Sequence, residues 1–225
     1  MTSAWFGFFT GGERVGWQQL RRRPVIETGH ANPAGPAAAA LQRREVLTVF
    51  RAGDALEVSA FFAEAPEGEP LAWRRFGTLV AEGDTYVEGA VFTRHGDELL
   101  LPGGSTAALP PVCYPGQLLL ELAMVRLRTG STELVATPLS DGDGSLQPAA
   151  RLRLAPSLLG PPGVTHRFDE APTDGSSGQR SILLAPDGRP VRQVWGPGAW
   201  SGPALTRQQA LAQGPDGGPT LDGHA

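Results

Sequence analysis

Regularly spaced turn signals constrain the fold of this chain more than any other feature. Between positions 45 and 156, short runs rich in Val, Leu, Phe and Ala are interrupted about every ten residues by a turn that contains Gly or Asp. These turns are centred on Gly53, Gly83, Gly96, Gly130 and Gly142. Glycine adopts the positive φ angles that tight hairpins need. The pattern therefore predicts a meander of antiparallel strands.

The strand-like runs number about ten. They cover positions 4–10, 13–20, 45–51, 55–63, 71–82, 85–94, 98–101, 117–128, 131–139 and 145–154. A meander of this length removes its unpaired edges most simply by closing. We therefore expect an all-β protein, a single up-and-down antiparallel β-barrel whose interior is the natural site. The Ala-rich connection at positions 30–40 is compatible with either a short helix or coil.

The composition changes near position 158. Close to a third of residues 160–225 are Gly or Pro, a level at which a segment usually buries too little surface to become ordered. We therefore predict a barrel over residues 1–158 and a mostly flexible Gly/Pro-rich C-terminal extension over 159–225. Within the extension, two short apolar runs flank a turn at Asp187-Gly188, which predicts a hairpin at 180–195.

Charge and composition exclude several partners and locations. A net charge of −4 gives no electrostatic reason to bind nucleic acid. The longest apolar stretch is interrupted by Glu121 and is too short for a transmembrane segment. The N-terminus has no signal-peptide features, and a single cysteine cannot form an internal disulfide, so we expect a cytoplasmic protein.

No catalytic or metal-binding motif stands out. All 19 basic residues counted as Lys or Arg are arginines, so a Schiff-base or P-loop lysine is excluded. The histidines lack metal-ligand spacing, Cys113 is interpreted as a structural thiol, and the turn at Asp141 and Asp143 is interpreted as solvated. The sequence favours a protein that is not an enzyme, with no catalytic residues, no metal and no obligatory cofactor.

One segment stands out as a candidate ligand site, Trp73-Arg74-Arg75-Phe76. On a strand, alternate side chains face opposite ways, so one of the two guanidinium groups should face the interior. An inward arginine needs an acidic partner, which is either an acidic ligand or a protein carboxylate; snorkelling to solvent is the third option. Trp17 is also predicted to face inward and is included among the ligand-binding candidates.

Two further expectations concern the interior and the surface. The bulky residues predicted to face inward either fill the barrel or line a pocket; they are Phe8, Trp17, Phe50, Phe61, Phe92, Leu120 and Leu152. The run Arg21-Arg22-Arg23, with Arg43 and Arg44, is interpreted as a basic surface patch. Such a patch is either a solvated face or a contact for an acidic protein partner.

Two short segments carry a family resemblance. Trp5-x-Gly7-x-x-Thr10, and Leu101-Pro102-x-Gly104 followed by Asp143-Gly144-x-Leu146, resemble segments of a family of lipocalin-like (calycin) barrels from cyanobacteria and chloroplasts. That family of uncharacterised domains includes a plant chloroplast assembly factor for the ATP synthase. The chain departs from its pattern in having Gly103 where the family often has Asp.

This resemblance implies a calycin-type barrel in an oxygenic phototroph. The implied function is a non-catalytic binding or assembly protein with a protein partner. A second group with the same predicted fold, the phycobiliprotein chromophore lyases, supplies the alternative: a barrel that binds a small apolar or tetrapyrrole ligand. Such a ligand would be a bilin or another hydrophobic acid.

Overall fold

The computed structural model describes residues 2–25, 40–157, 162–176, 178–195, 198–212 and 220–221. The first half of the described chain contains nine strands, β1 Thr2–Thr10, β2 Glu13–Pro24, β3 Leu41–Ala52, β4 Ala55–Pro66, β5 Arg75–Glu82, β6 Thr85–His95, β7 Glu98–Leu100, β8 Thr106–Ala108 and β9 Cys113–Pro115. The second half contains helix α1 Leu119–Thr129, strands β10 Glu133–Leu139, β11 Ala150–Pro156, β12 His166–Pro172, β13 Arg180–Leu184, β14 Pro190–Trp195 and β15 Ala199–Leu205, and helix α2 Arg207–Ala212.

All fifteen strands belong to one sheet, which is antiparallel except where β9 pairs with β10. From one edge to the other, the sheet runs from β8 down to β1, then from β15 down to β9. The hairpins of the first half follow the predicted turns, and Gly53, Gly83 and Gly96 each have positive φ there. The prediction of a mostly β fold built from hairpins is confirmed.

The sheet curls so that its two edges approach each other. Edge strands β8 and β9 are separated by only four residues of chain, which can span at most about 14 Å. Trp73 near β5 donates from Nε1 to the carbonyl oxygen of Cys113 on β9, at 2.9 Å. Phe92 on β6 lies against Gly144, where an added Cβ would be 2.6 Å from the ring. Within the described residues, however, β8 does not pair with β9, so the sheet stays open.

The prediction of a mostly flexible extension after residue 158 needs correction. Strands β12 to β15 belong to the sheet, and β15 pairs with β1 in the middle of the sheet. The predicted hairpin at 180–195 corresponds to β13 and β14, which pair antiparallel. Several glycines of this region, such as Gly175 and Gly188, occupy positive-φ turns between strands. The high glycine content of this region therefore reflects turns between strands. The predicted connection at 30–40 lies, up to residue 39, outside the described residues.

The strand predicted at 117–128 is also wrong, because Leu119–Thr129 form helix α1. Leu119, Leu122 and Ala123 are buried, which is the spacing of one helix face. Gly130 ends the helix in the left-handed conformation, with φ of 69°. The helix lies within the curl of the sheet and packs against the inner face of β10 to β13, in a cluster with Leu152, Phe168, Ile182 and Leu184.

Strands β1 to β4 have two differently covered faces. The back face packs Trp5, Trp17, Leu47 and Phe62 against α2 and Leu221. The front face is turned toward α1, and it carries Gln18, Leu20 and Arg22 on β2 and Arg44, Val46, Thr48 and Phe50 on β3. The strands pair in register, with Arg22 opposite Arg44 and Gln18 opposite Thr48.

Candidate functional site

Arg75, the main predicted ligand anchor, is held by protein carboxylates. Its Nε and Nη2 donate to the two carboxylate oxygens of Glu64 at 2.7 and 3.0 Å, and Nη2 also donates to Glu88 at 2.8 Å. These bonds raise the pKa of Arg75, the Glu64 hydrogen bond contributing most. Arg75 thus forms a structural ion pair, which is one of the alternatives that the sequence allowed. The neighbouring Arg74 is exposed.

The aromatic residues predicted beside that anchor belong to the packed core. Trp73 is 1% exposed and contacts Phe76, whose ring stacks on Phe92 at 4.9 Å between centroids. Trp17 lies on the back face, 5.3 Å from Trp5 between ring centroids. Neither of the two cavities described below is lined by Trp17, Trp73, Arg74, Arg75 or Phe76.

The arginines of the predicted basic surface patch are paired with acidic residues of the chain, and Arg43 and Arg44 are buried, so the interpretation as a solvated face needs correction. On the back face, Arg21, Arg23 and Arg43 all contact Glu45, which is 2% exposed. Burial would raise the pKa of Glu45, but the three guanidinium groups outweigh it and hold the pKa below its usual value. Neighbouring arginines on β2 and β3 thus face opposite sides of the sheet, and each contacts an acidic residue from within the chain.

A cavity of about 490 Å³ lies between the front face of β1 to β4, helix α1 and strand β14. Apolar side chains form most of its walls, among them Phe8, Leu20, Val46, Phe50, Phe61, Leu119, Leu120, Met124 and Trp195. Four of the residues predicted to face inward line it, namely Phe8, Phe50, Phe61 and Leu120. Its size falls within the range typical of sites for small molecules.

The two ends of this cavity differ in chemistry. At one end, Phe8 packs against Phe50 and Trp195, with ring centroids 5.1 and 5.7 Å apart. At the other end lie Arg44 and its cross-strand neighbour Arg22. Arg44 and Phe50 are six residues apart on β3, which corresponds to about 20 Å along an extended strand. The cavity is therefore elongated, with an aromatic end and a charged end.

Glu121 of α1 reaches the charged end and contacts both arginines. Its Oε1 lies 2.8 Å from Nη2 of Arg22 and 2.5 Å from Nε of Arg44. Glu121 and Arg44 are both buried, at 6% and 7% exposure. Two guanidinium groups face one carboxylate here, so this cluster carries one excess positive charge.

Several buried polar atoms at the cavity lack hydrogen-bond partners among the described residues. They are Oε1 of Gln18, Nε and Nη1 of Arg44, and Nε2 of Gln193. Nε of Arg44 is close to Glu121 but is not directed at it well enough for a hydrogen bond. Buried polar groups in folded proteins are nearly always bonded, because an unmet donor or acceptor is costly. Their concentration around one cavity makes it the candidate site among the described residues.

A second cavity, of about 500 Å³, adjoins the first at Gly116, Asp141 and Arg180. Asp141 accepts hydrogen bonds from the backbone N–H and the side-chain amide of Gln117, at 3.1 and 3.0 Å. Burial raises the pKa of Asp141 to about 6, although Arg180 and Gln117 oppose the rise. An added Cβ at Gly116 would lie 2.6 Å from the Asp141 carboxylate, so any larger residue there would displace this carboxylate.

Arg180 is fixed at that junction by a buried acidic residue. It donates from Nη2 to Glu170 at 2.6 Å and also contacts Glu170 through Nε. Tyr114 donates its hydroxyl to the same carboxylate, and burial, followed by the charge of Glu170, raises the tyrosine pKa. Arg180 therefore donates to its acidic partner through both Nε and Nη2, whereas Nε and Nη1 of Arg44 make no hydrogen bond within the described residues.

No arrangement of three or more His, Cys, Asp and Glu side chains in the described ranges could hold a metal ion. The helices of the described chain include none long and apolar enough to span a membrane.

Comparisons with known proteins give the fold alone. No protein-family model and no curated protein matches the chain. Among solved structures, it is similar to the crystal structure of a beta-barrel-like protein of a domain of unknown function, DUF1849, from Brucella abortus. The two are 10% identical with a TM-score of 0.50, over 90% of this chain and 94% of the other. This similarity supports a barrel-like fold and does not extend to the cyanobacterial and chloroplast barrels.

Proposed function

We propose that this protein is a non-catalytic binding protein that holds an amphipathic small molecule in the cavity between α1 and the front face of β1 to β4. The observation that carries the proposal is the coincidence of apolar walls with unpartnered buried polar atoms. Apolar walls favour a ligand with an apolar body because its burial is stabilising. The buried donors and acceptors that lack partners would bind the polar groups of such a ligand and so fix its orientation.

The leading expectation from the sequence is a non-catalytic binding or assembly protein with a filled interior, and a ligand-binding barrel is its alternative. In a filled interior, side chains from opposite walls would pack together, as those near Trp73 and Phe92 do. The cavity beside α1 favours the ligand-binding version instead. A bilin remains a candidate ligand, since it combines an apolar body with acidic groups.

The proposal is tested by titrating dodecanol, dodecanoate and biliverdin into the purified protein. Trp195 lines the cavity, so its fluorescence should change as a ligand enters. Calorimetry should give one site per chain and a negative heat-capacity change, the signature of apolar burial. Absence of binding by all three probes would overturn the proposal.

A size variant separates the cavity from other apolar surface. Val46 lines the cavity wall and Val135 is 50% exposed on β10. Val46→Phe should block binding by filling the cavity without removing a charge, whereas Val135→Phe should leave the affinity unchanged. Thermal unfolding of both variants checks that they fold. Unchanged binding by a folded Val46→Phe variant would contradict this location.

A further inference from the structure

The charged end of the cavity has one more cation than anion. Arg22 and Arg44 stand directly opposite each other on β2 and β3, and like charges in this position repel each other. Glu121 compensates one of the two positive charges, through contacts that all involve its Oε1 atom. Arg22 is 38% exposed at its side chain, whereas Arg44 and Glu121 are buried, so an anion bound at Arg44 would offset the positive charge where water screens it least.

Arg44 has an unbonded donor for such an anion at Nη1, since Glu121 already lies 2.5 Å from Nε. The residue is 7% exposed, and neither Nε nor Nη1 makes a hydrogen bond within the described chain. Arg43, its neighbour on the back face, bonds to Glu45 at 2.8 Å and to Glu64 at 3.1 Å. Guanidinium donors form a planar fork that matches the two oxygens of a carboxylate. The contrast between the adjacent arginines singles out Arg44 as the incomplete one.

The wall beyond Arg44 sets the shape of the rest of the ligand. Val46, Thr48 and Phe50 follow it on the same side of β3, and Phe8 and Trp195 close the far end. An extended molecule with its head group at Arg44 would place its body along these residues, toward the aromatic end.

We infer that the cavity is a site for an elongated hydrophobic carboxylate, whose head group binds Arg44 and whose apolar body extends along β3 toward Phe50. This inference rests on the proposed function and adds the head-group chemistry and the orientation. Thr48, halfway along the wall, accepts a hydrogen bond from Gln18 at 3.1 Å, so its hydroxyl oxygen has a partner within the wall.

The test compares dodecanoate with dodecanol, which share a chain and differ in the head group. We expect wild type to bind the acid at least about tenfold more tightly. Arg44→Met should lower dodecanoate affinity about ten- to a hundredfold, the range expected for a hydrogen bond to a charged group. Dodecanol affinity should change much less. Arg75→Met, which removes an arginine from the back face, is the matched control and should leave both affinities unchanged.

A second variant keeps the test decisive if Arg44→Met does not fold. Glu121→Gln removes the competing carboxylate, so it should raise dodecanoate affinity and leave dodecanol affinity nearly unchanged. Equal wild-type affinity for acid and alcohol would overturn the head-group inference while leaving the proposed function intact. The same holds if neither variant alters dodecanoate binding. Failure of dodecanoate, dodecanol and biliverdin alike to bind would overturn the proposed function as well.

Discussion

Arg75 and Glu64 form a two-pronged ion pair between directly opposed residues of β5 and β4. Glu64 is only 2% exposed, so the pair satisfies a carboxylate that has little access to water.

Replacing Arg75 by Met should destabilise the fold by about 1–3 kcal/mol, because a buried charged acceptor loses two donors. Glu64 keeps its contact with Arg43, which limits the loss. Urea unfolding measures the change. Arg151→Met is the control, since Arg151 and Glu133 are 60% and 49% exposed and such surface pairs contribute little. Equal effects of the two substitutions would contradict this assignment.

Gly77 should be intolerant of alanine. A Cβ there would lie 2.0 Å from the carbonyl oxygen of Ala90 on β6, beside the register shift between Gly77 and Leu79. Gly77→Ala should therefore cost about 1–3 kcal/mol or more, because backbone on both strands must move. Gly142→Ala provides the comparison, since nothing lies within 4 Å of that Cβ. If Gly77→Ala leaves the melting temperature unchanged, the backbone at this register shift moves to accommodate the added Cβ.

Asp141 should make stability depend on pH. Its folded pKa of about 6 lies above the usual 3.8, so folding favours the neutral acid. The stabilisation is complete below about pH 4 and is lost as pH rises through 6; between those two values, each pH unit removes roughly 1.4 kcal/mol. Wild type should therefore lose stability relative to Asp141→Asn between pH 4 and about 7, measured by urea unfolding.

Asp143 in the same loop supplies the control. Its pKa is lowered to about 2, chiefly by a hydrogen bond with Ser140. Over the same pH interval it stays ionised, so the difference between wild type and Asp143→Asn should be constant. If the difference in unfolding free energy between wild type and Asp141→Asn does not change with pH, the Asp141 carboxyl is ionised throughout this interval.

Cys113 should resist alkylation in the folded protein. The thiol is 1% exposed, and burial raises its pKa, so little reactive thiolate is available. Iodoacetamide at pH 8 should label it far more slowly than in urea, with the labelled fraction followed by mass spectrometry. Labelling of the native protein at the unfolded rate would mean that edge strand β9 opens readily.

Local sequence signals predicted the hairpins but not how the whole sheet is assembled. Turns such as Ala52-Gly53-Asp54 are set by adjacent residues, and Gly53 adopts the expected positive φ. Leu119 to Thr129 resembles a strand because it is a short apolar run, and periodicity alone does not separate a buried helix from a strand. Of the strands after residue 160, the hairpin of β13 and β14 was predicted. Strands β12 and β15 were missed because composition does not reveal that the glycines of this region occupy turns.

The candidate site could not be predicted from the sequence for a different reason. Arg44 and Glu121 come from β3 and α1, and only the curl of the sheet brings them together. Arg43 and Arg44 are identical neighbours in sequence, yet strand alternation gives one a full set of partners and leaves the other with free donors. Alternation was a usable signal: it predicts that a run of arginines on a strand divides between two faces.

The pairing of β1 with β15 has a consequence for how the protein emerges from the ribosome. Trp5 is aligned with Leu205, so the first described strand must wait for the last one before both of its edges are paired. Until then, a nascent chain carries a long unpaired edge at what will become the middle of the sheet. The closely spaced edges β8 and β9, by contrast, are made together. Completion of this fold therefore requires the synthesis of β15.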